Sequence, residues 1–241
     1  MSKNIPLKVS GGKDSTATLL RAMEEFEKKD LIVIFSDTGW EHPYTYQYLD
    51  YLEKTFGIKI NRLKTEDEID LPNLIRRMKR FPHPTYRFCT ETLKQLTFMS
   101  FLKRERLFEC TNWLGIRKSE SIARRKKYFE VQPDLEYPVR RFFGSYTFDL
   151  KYIRLRFPVI NMSVQEVFAY IRSKGIDVNT LYKQGHSRVG CYPCLLSSKK
   201  DFFKLLNDDV GIERIDKLIQ LETEIGDTYK GINLKQLKES V

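Results

Sequence analysis

The stretch "KVSGGKDSTATLL", residues 8–20, decides how this chain is read. A short run that can form a strand ends at two glycines, and a Lys-Asp-Ser triplet leads into residues that favour a helix. A glycine-rich turn between a strand and a helix directs several main-chain N–H groups, and the positive end of the helix dipole, at one point. The stretch predicts an anion-binding turn. The alternative is an ordinary tight turn capped by Asp14 or Ser15.

The spacing of this turn differs from the two common phosphate-binding patterns. Lys13 follows Gly11 and Gly12 directly, so the GxxxxGK[ST] pattern is not met, and Lys13 and Asp14 also break the GxGxxG pattern. Each charge-assisted hydrogen bond to an anion contributes about 1.5–3 kcal/mol. A few such contacts are enough for micromolar binding of a phosphate-bearing ligand.

The sequence around the turn alternates between the two kinds of element. Strands are predicted at 5–10, 31–38 and 58–64, and helices at 15–30 and 45–57, the second ending at Gly57. This alternation predicts an α/β fold with a parallel, doubly wound sheet between helices.

Beyond residue 64 the pattern is less regular. Helices are predicted at 70–80, 91–106 and 118–127, a strand at 107–116, and irregular structure with a hairpin at 131–157. A capping box formed by Ser163 and Glu166 opens a helix over 163–175, and two helices, 199–207 and 211–225, follow. We expect an α/β domain at 1–160 and a small helical C-terminal region at 161–241, packed as one unit.

Composition and charge argue against a membrane protein and favour an anionic partner. The chain has 241 residues, of which 41% are hydrophobic, and its formal net charge is +10. No apolar run approaches the roughly 18 residues that cross a bilayer, and no signal peptide is recognised, so a reducing, cytoplasmic location and no membrane partner are expected. The positive charge suits a nucleotide or nucleic acid, and a solvated basic surface is the alternative reading.

Candidate polar residues follow two other predicted strands. Asp37 and Thr38 end the second strand, where open parallel sheets place groups that contact ligands. Arg117 and Arg124 could present planar guanidinium groups to phosphate or sulfate oxygens, and Glu120 could hold Arg117 in place. An ordinary turn and a solvated basic helix are the structural alternatives.

The four cysteines offer a second kind of chemistry. Cys191 and Cys194 form a CxxC turn, which can bind Zn²⁺ or an iron–sulfur cluster, or act as a redox dithiol. Cys89 and Cys110 are the remaining cysteines, and they would complete a four-ligand metal site. A site with three cysteines and another group, a bare dithiol, and a buried structural role for Cys110 are the alternatives.

The order of motifs resembles one known family. The string Ser10–Ser15, SGGKDS, is similar to the pyrophosphate loop of the N-type ATP pyrophosphatases and the phosphoadenylyl-sulfate (PAPS) reductases. Further similar segments favour the PAPS reductase branch: "FSDTGWEHPYTY" (35–46), "YRFCTETLK" (86–94), "WLGIRKSESIARR" (113–125), "FPVINMSVQEVFAYI" (157–171) and "LYKQGHSRVGCYPC" (181–194). The resemblance implies a Rossmann-like fold of the PP-loop type whose first domain binds an adenine nucleotide, either PAPS or adenylyl sulfate (APS), or ATP with Mg²⁺.

The resemblance also assigns roles to residues. Those expected to contact the nucleotide are Ser10, Gly11, Gly12, Lys13, Asp14, Ser15, Asp37, Thr38, Gly39, Arg117, Glu120, Arg124 and Arg188. Those expected to take part in catalysis are Lys13, Asp14, Cys191 and Cys194. Members of the family with a [4Fe–4S] cluster carry a cysteine pair at the "YRFCTETLK" position, whereas here Cys89 is followed by Thr90.

One further departure affects the expected reaction. Assimilatory reductases of this family attack sulfur with a lone cysteine in a C-terminal tail, and this sequence has no cysteine after Cys194. Either Cys191 or Cys194 takes that role, or the enzyme is a nucleotide-activating sulfurtransferase, for which basic runs such as Arg76–Arg80 favour a nucleic-acid acceptor. A thiol reductant or a sulfur-donor protein is the expected partner. A nucleotide- or nucleic-acid-binding module with a structural metal and no turnover is the alternative of another class.

Overall fold

The parallel sheet predicted from the sequence is present in the computed structural model, which describes residues 4–143, 152–197, 199–229, 231 and 234–239. Six strands form one sheet in the order β3-β2-β1-β4-β6-β5. The strands are β1 (Ile5–Val9), β2 (Leu31–Ser36), β3 (Ile60–Leu63), β4 (Thr111–Trp113), β5 (Tyr137–Pro138) and β6 (Arg154–Arg156). All neighbouring pairs are parallel except β5 and β6, which are antiparallel.

The helices fall in two groups along the chain. The first group is α1 (Lys13–Glu25), α2 (Pro43–Phe56), α3 (Leu71–Met78), α4 (Phe88–Thr90), α5 (Thr97–Arg104), α6 (Ile122–Lys127) and α7 (Arg140–Phe143). The second group is α8 (Val164–Ser173), α9 (Thr180–Lys183), α10 (Lys199–Phe203), α11 (Asp209–Ile225) and α12 (Leu234–Glu239).

Helices cover both faces of the sheet. On one face, Leu19 of α1, Leu49 of α2 and Ile171 of α8 pack with the strands in one apolar cluster. On the other face, Phe101 and Leu102 of α5 pack in a second cluster. The strands are therefore buried on both sides, as their apolar sequences predict, and the α/β doubly wound class is confirmed.

A third apolar cluster lies beside the sheet and carries the CxxC turn. It joins Trp40, α3 and α11, and it includes Tyr192 and Leu195 from the turn itself. The C-terminal region is thus packed in two places, since α8 lies against α1 while α11 lies against α3. The boundary between 160 and 161 stays a prediction.

Capping motifs in the sequence correctly predicted the ends of several helices. Ser163 and Glu166 form the predicted capping box at the start of α8, and Gly57 ends α2 in a left-handed conformation (φ 59°). The predicted helix over 91–106 is in part a wider π-turn over Glu91–Leu96, which then continues as α5. The predicted hairpin region contains β5 and β6, and residues 144–151 within it lie outside the described residues.

In the part of the chain that the structure describes, helices are too short or too polar to span a lipid bilayer.

Candidate functional site

The turn after β1 lies where the direction of chain connection in the sheet reverses. β1 pairs with β2 on one side and with β4 on the other, so the loops after β1 and β4 leave the carboxyl edge in opposite directions. Ligands of open α/β sheets bind at this kind of reversal. Gly115, after β4, passes so close to the turn that an added Cβ would lie 2.8 Å from the carbonyl oxygen of Asp14 and the nitrogen of Ser15.

The turn itself is held by short-range hydrogen bonds. The Ser15 hydroxyl accepts the Ser10 main-chain N–H at 3.0 Å and donates to the Gly12 carbonyl at 2.9 Å. The N–H of Lys13 donates to the Tyr182 hydroxyl at 2.9 Å. Gly12 is the N-cap residue of α1 and offers no side chain to cap the helix. The N–H groups that follow Lys13 at the start of the helix can therefore be satisfied by an anion.

Asp14 connects the turn to a buried arginine. Its carboxylate accepts the Arg117 Nε–H at 2.5 Å and lies 3.8 Å from Lys13 Nζ. Arg117 is only 2% exposed, and its Nη1 also donates to the Ser119 hydroxyl at 2.6 Å. The guanidinium that the sequence analysis assigned to phosphate is thus engaged with protein groups. In this structure Arg117 holds Asp14 and the start of α1 in place.

Arg124 and Arg188 are better placed to meet an anion. Burial lowers the pKa of Arg124, and the nearby positive charges of Arg188 and Arg87 lower it further. The Glu120 carboxylate pairs with Arg124 and also accepts the main-chain N–H of Arg117 at 3.2 Å. We call Arg87, Arg124 and Arg188 the arginine cluster. Three neighbouring guanidinium groups repel one another, and a polyanion would relieve this repulsion.

The end of β2 forms a compact hydrogen-bonded group. The buried Glu41 carboxylate accepts the Thr38 hydroxyl at 2.7 Å and the N–H groups of Thr38 and Trp40 at 3.2 Å each. Asp37 accepts the Tyr46 hydroxyl at 2.7 Å, and burial together with this carboxylate raises the pKa of Tyr46. Gly39 has a φ of 65°, and a Cβ there would lie 2.7 Å from the Cβ of Asp70.

The CxxC turn is docked on the loop after β2. Tyr192 donates its N–H to the Trp40 carbonyl at 2.6 Å, and the Trp40 indole N–H donates to the Pro193 carbonyl at 3.2 Å. These contacts place the Cys191 Sγ 3.6 Å from the Thr38 hydroxyl and 3.8 Å from Glu41 Oε1. A cysteine distant in sequence is thereby brought to the carboxyl edge of the sheet.

A lysine from the π-turn faces the two thiols. The charges of Cys191, Glu41 and Cys194 raise the pKa of Lys94. Burial raises the pKa of the Cys191 thiol to about 11, and the Lys94 ammonium opposes that increase. Lys8 of β1 donates to the Lys94 carbonyl at 2.9 Å, so a strand residue fixes the turn that carries Lys94. π-turns inside helices are frequent at functional sites.

These elements enclose one cleft of about 210 Å³. Its wall includes Ser10 from the turn, Lys94 from the π-turn, and Arg188, Cys191 and Cys194 from the C-terminal region. The first residue of the turn and the two thiols therefore line the same cavity.

The cysteines do not form the predicted four-ligand set. Cys110 lies before β4, at the opposite edge of the parallel sheet from Cys191, and packs with the second apolar cluster. Burial raises its pKa to about 12. Cys89 is near Cys194, whose charge adds to the effect of burial in raising the Cys89 pKa. Among the described residues, no three Cys, His, Asp or Glu side chains are grouped as metal ligands. The donor set therefore does not fit a four-cysteine cluster or zinc centre as it stands.

Some residues of the site were not assigned from the sequence. Tyr182, Glu41, Lys94 and Gly115 all lie inside motifs quoted above, but each acts through a contact far away in the chain. The structure brings the residues 10–15, Asp37–Gly39, Arg117–Arg124 and Arg188–Cys194 to one edge of the sheet. Their roles as ligand contacts stay a prediction.

Comparisons with known proteins agree with this geometry. The phosphoadenosine phosphosulfate reductase domain matches residues 4–197. An uncharacterized protein of Methanocaldococcus jannaschii, MJ0066, is 30% identical over 196 residues, which is 80% of this chain and 36% of that protein. The chloroplastic 5'-adenylylsulfate reductase 1 of Arabidopsis thaliana is 29% identical over 165 residues, or 67% of this chain and 33% of that protein. The matched region thus spans about a third of each of these two relatives.

Solved structures show the same fold. PAPS reductase from Candida auris, in a phosphate complex, aligns with a TM-score of 0.53 at 16% identity and covers 79% of this chain and 82% of its own. The U34-tRNA thiolase NcsA from Methanococcus maripaludis, determined with its [4Fe-4S] cluster, aligns with a TM-score of 0.50 at 18% identity, covering 99% of this chain and 74% of its own.

Proposed function

Because this chain belongs to the phosphoadenosine phosphosulfate reductase family, we propose that it binds an adenine nucleotide at Ser10–Ser15 and catalyses sulfur chemistry with Cys191 and Cys194. One observation carries the proposal, namely that Ser10 and both thiols line the same cleft. A turn for phosphates alone would suit any nucleotide-binding protein. Two thiols in the same cavity supply the sulfur nucleophile.

The phosphates of the nucleotide are held by the start of α1. Its first N–H groups and its dipole favour an anion, and Lys13 adds a positive charge beside them. Arg124 and Arg188 lie close enough for their charges to act on the turn, at Asp14 and Lys13 respectively. Arg117 acts indirectly, because its contact with Asp14 fixes the position of the turn. Binding depends on groups that are placed before the ligand arrives.

Cys191 is the better nucleophile of the pair. Its thiol lies against Thr38 and Glu41, and the Lys94 ammonium stabilises the thiolate once the proton has left to solvent. Burial raises the pKa of Cys191 to about 11 and the Lys94 ammonium opposes that increase, so near neutral pH the thiol is mostly protonated and the thiolate is a minor species beside the ammonium. Cys194 is then the second thiol of the dithiol.

The bond changes of a sulfonucleotide reduction follow from this arrangement. The Cys191 thiolate attacks the sulfur atom, an S–S bond forms, and the S–O bond to the nucleotide breaks with its electron pair left on the phosphate oxygen. Cys194 next attacks the Cys191 sulfur, sulfite leaves with the electron pair, and a Cys191–Cys194 disulfide remains. An external dithiol reduces this disulfide and is itself oxidised.

A nucleotide-dependent sulfur transfer is the second candidate reaction. The arginine cluster favours it, because its positive charge suits a nucleic-acid acceptor. In this reaction the turn binds ATP with Mg²⁺ and an acceptor is adenylylated with release of pyrophosphate. The outer sulfur of a Cys191 persulfide, supplied by a sulfur-donor protein, then displaces AMP and forms a disulfide between the acceptor and Cys191. Cys194 attacks the Cys191 sulfur, which frees the thiolated acceptor and leaves a Cys191–Cys194 disulfide for an external dithiol to reduce. The resemblance in fold to a tRNA thiolase over nearly the whole chain supports keeping this alternative.

Two assays separate these reactions. The purified protein is incubated with APS or PAPS and a dithiol, and sulfite and the released nucleotide are measured. It is then incubated with labelled ATP, with and without nucleic acid, and pyrophosphate is measured. Sulfite formation supports the reductase, and pyrophosphate release that depends on nucleic acid supports the transferase. Nucleotide binding without either product would leave a binding module and contradict the proposed chemistry.

A further inference from the structure

A basic surface with an exposed aromatic side chain lies beside the cleft, which Arg188 lines. Its centre is the arginine cluster of Arg87, Arg124 and Arg188, whose charges act on one another. The residue next to Arg87, Tyr86, is exposed, and the Arg80 guanidinium lies 5.1 Å from the centre of its ring. Cations and an accessible aromatic ring therefore occur together on this side of the molecule.

The outer face of α6, on the side of the helix away from Arg124, carries further exposed cations. Arg124 is half-buried, whereas Arg125 and Lys126 of the same helix are exposed. Phe129, just after the helix, is 75% exposed and Ile122, at its start, is 74% exposed. We call Ile122, Arg125, Lys126 and Phe129 the α6 outer face. Large apolar side chains this exposed, set among cations, are typical of binding surfaces.

Most of the positive charges near the cleft and on α6 lack an ion-pair partner. Arg124 pairs with Glu120, whereas within the part of the chain that the structure describes Arg87, Arg125, Lys126 and Arg188 form no ion pairs. The run at Arg76–Arg80 behaves differently, since Arg76 pairs with Glu224 and Arg77 pairs with Asp67. The sequence alone makes that run look equally basic. In the structure Arg76 and Arg77 are therefore neutralised, whereas near the cleft only Arg124 has a paired carboxylate among the cations named above.

We propose that Arg87 and the α6 outer face bind a single-stranded segment of RNA, with its phosphates on the cations and unstacked bases on Tyr86 and Phe129. Base stacking on aromatic rings beside a basic track is how proteins hold single strands. A six-residue helix such as α6 is too short to read a major groove, which argues against a duplex. Unpaired bases are the ordinary state of RNA loops, whereas cellular DNA is mostly paired, so we assign the strand to RNA.

This inference deepens the proposed function, since it rests on that function to make the RNA the sulfur acceptor. The binding test needs neither nucleotide nor thiol chemistry. Loss of RNA binding and loss of turnover are therefore distinguishable outcomes.

The test is fluorescence anisotropy with a labelled twelve-nucleotide RNA of mixed sequence at several salt concentrations. The variant Arg125→Glu/Lys126→Glu is compared with Lys54→Glu/Lys59→Glu, a control with the same change in net charge at two exposed lysines in α2 and just before β3. We expect about tenfold weaker binding in the first variant and less than twofold in the control. The salt slope should fall by about 0.7 for each RNA phosphate that the variant no longer neutralises.

A second variant tests the stacking. Phe129→Ala should weaken binding by about fivefold or more while leaving the salt slope unchanged, because no charge is removed. Nucleotide binding by both surface variants should match that of the original protein, which shows that they are folded. Three results would overturn the proposal: no RNA binding, equal losses in the surface variant and the lysine control, or equal binding of the matching DNA strand, RNA duplex or polyglutamate.

Discussion

Two cysteines at opposite edges of the sheet differ sharply in their surroundings. Cys191, at the carboxyl edge, lies against Thr38 and Glu41 and faces the Lys94 ammonium. Cys110, at the amino edge, has a weak contact with the Leu107 carbonyl at 3.7 Å and lies among apolar groups. Burial raises the pKa of both, to about 11 and about 12. The difference teaches that position at the carboxyl or amino edge of the parallel sheet, and not the residue type, decides which thiol has polar and charged neighbours.

The largest effect is expected when the Cys191 thiol is replaced by a hydroxyl, with the same replacement at Cys110 as the control. Cys191→Ser should lower sulfur-transfer turnover by about 10³-fold or more, because a serine hydroxyl is not ionised and is a weak nucleophile. Cys110→Ser should retain turnover within about twofold, because its contacts do not reach the cleft. Steady-state rates for both variants check this, and the comparison of the two edges fails if both variants lose activity equally.

Removal of the carboxylate that pairs with Arg117 should have the next largest effect. Asp14→Ala leaves the guanidinium, which is 2% exposed, without its partner, and an unpaired buried charge costs about 3 kcal/mol or more. We expect a matching loss in the free energy of unfolding measured with denaturant, together with loss of nucleotide binding. The sequence alone would predict a loss of binding with full stability, because it does not reveal this buried pair.

A surface carboxylate supplies the control for that measurement. Asp134 is 78% exposed and lies 3.7 Å from Arg156, which keeps Glu25 as a second partner, so this ion pair is worth at most about 1 kcal/mol. Asp134→Ala should therefore change the unfolding free energy by far less than Asp14→Ala. Equal losses in the two variants would show that the Asp14–Arg117 pair is not needed for stability.

A close approach between two loops gives a smaller effect. At Gly115 a methyl group would lie 2.8 Å from main-chain atoms of Asp14 and Ser15, which cannot move without displacing the turn. Gly115→Ala should weaken nucleotide binding by about tenfold. A loss of this size lies within the cost of about 1–3 kcal/mol that an extra methyl group causes in a closely packed site. Isothermal titration with an adenine nucleotide measures it.

Gly57 is the matched glycine at the amino edge. It ends α2 with a φ of 59° and has open space around the position of a Cβ. Gly57→Ala should cost about 1 kcal/mol of stability through backbone strain and leave nucleotide affinity unchanged. If Gly57→Ala lowers affinity as much as Gly115→Ala, the effect at Gly115 comes from global destabilisation.

Structural features could be predicted from the sequence where neighbouring residues determine them. The turn at Gly11–Gly12, the capping box at Ser163 and the alternation of strands and helices are all set by neighbouring residues, so the α/β class and most elements could be predicted. The arrangement of residues around the cleft could not be predicted in this way. Its contacts join residues as far apart as Lys13 and Tyr182, and only the folded chain shows that Cys191 and not Cys110 meets them.

The charged residues show the same limit. From the sequence, Arg117 and Arg124 are equivalent candidates for phosphate, since both sit in one motif. In the structure Arg117 is used internally by Asp14 and Ser119, whereas Arg124 lies next to Arg188 and Arg87. Partner choice among buried ionic groups is a tertiary property, and a one-dimensional pattern does not contain it.

The smallest expected effect is the dependence of nucleotide affinity on pH through Lys13. Burial lowers the pKa of this lysine, the Asp14 carboxylate opposes the shift, and the positive charges of Arg117 and Arg188 add to it. The protonated form binds phosphate, so affinity should fall as the pH rises through this lowered pKa, at a less alkaline pH than for an exposed lysine. The total loss should be about tenfold, as for one charge-assisted hydrogen bond. Lys13→Arg should abolish this decline, because a guanidinium stays charged throughout. Titrations from neutral to alkaline pH compare the two proteins. Parallel curves would show that another group carries the pH dependence, and they would remove Lys13 from the contacts that set the carboxyl edge apart.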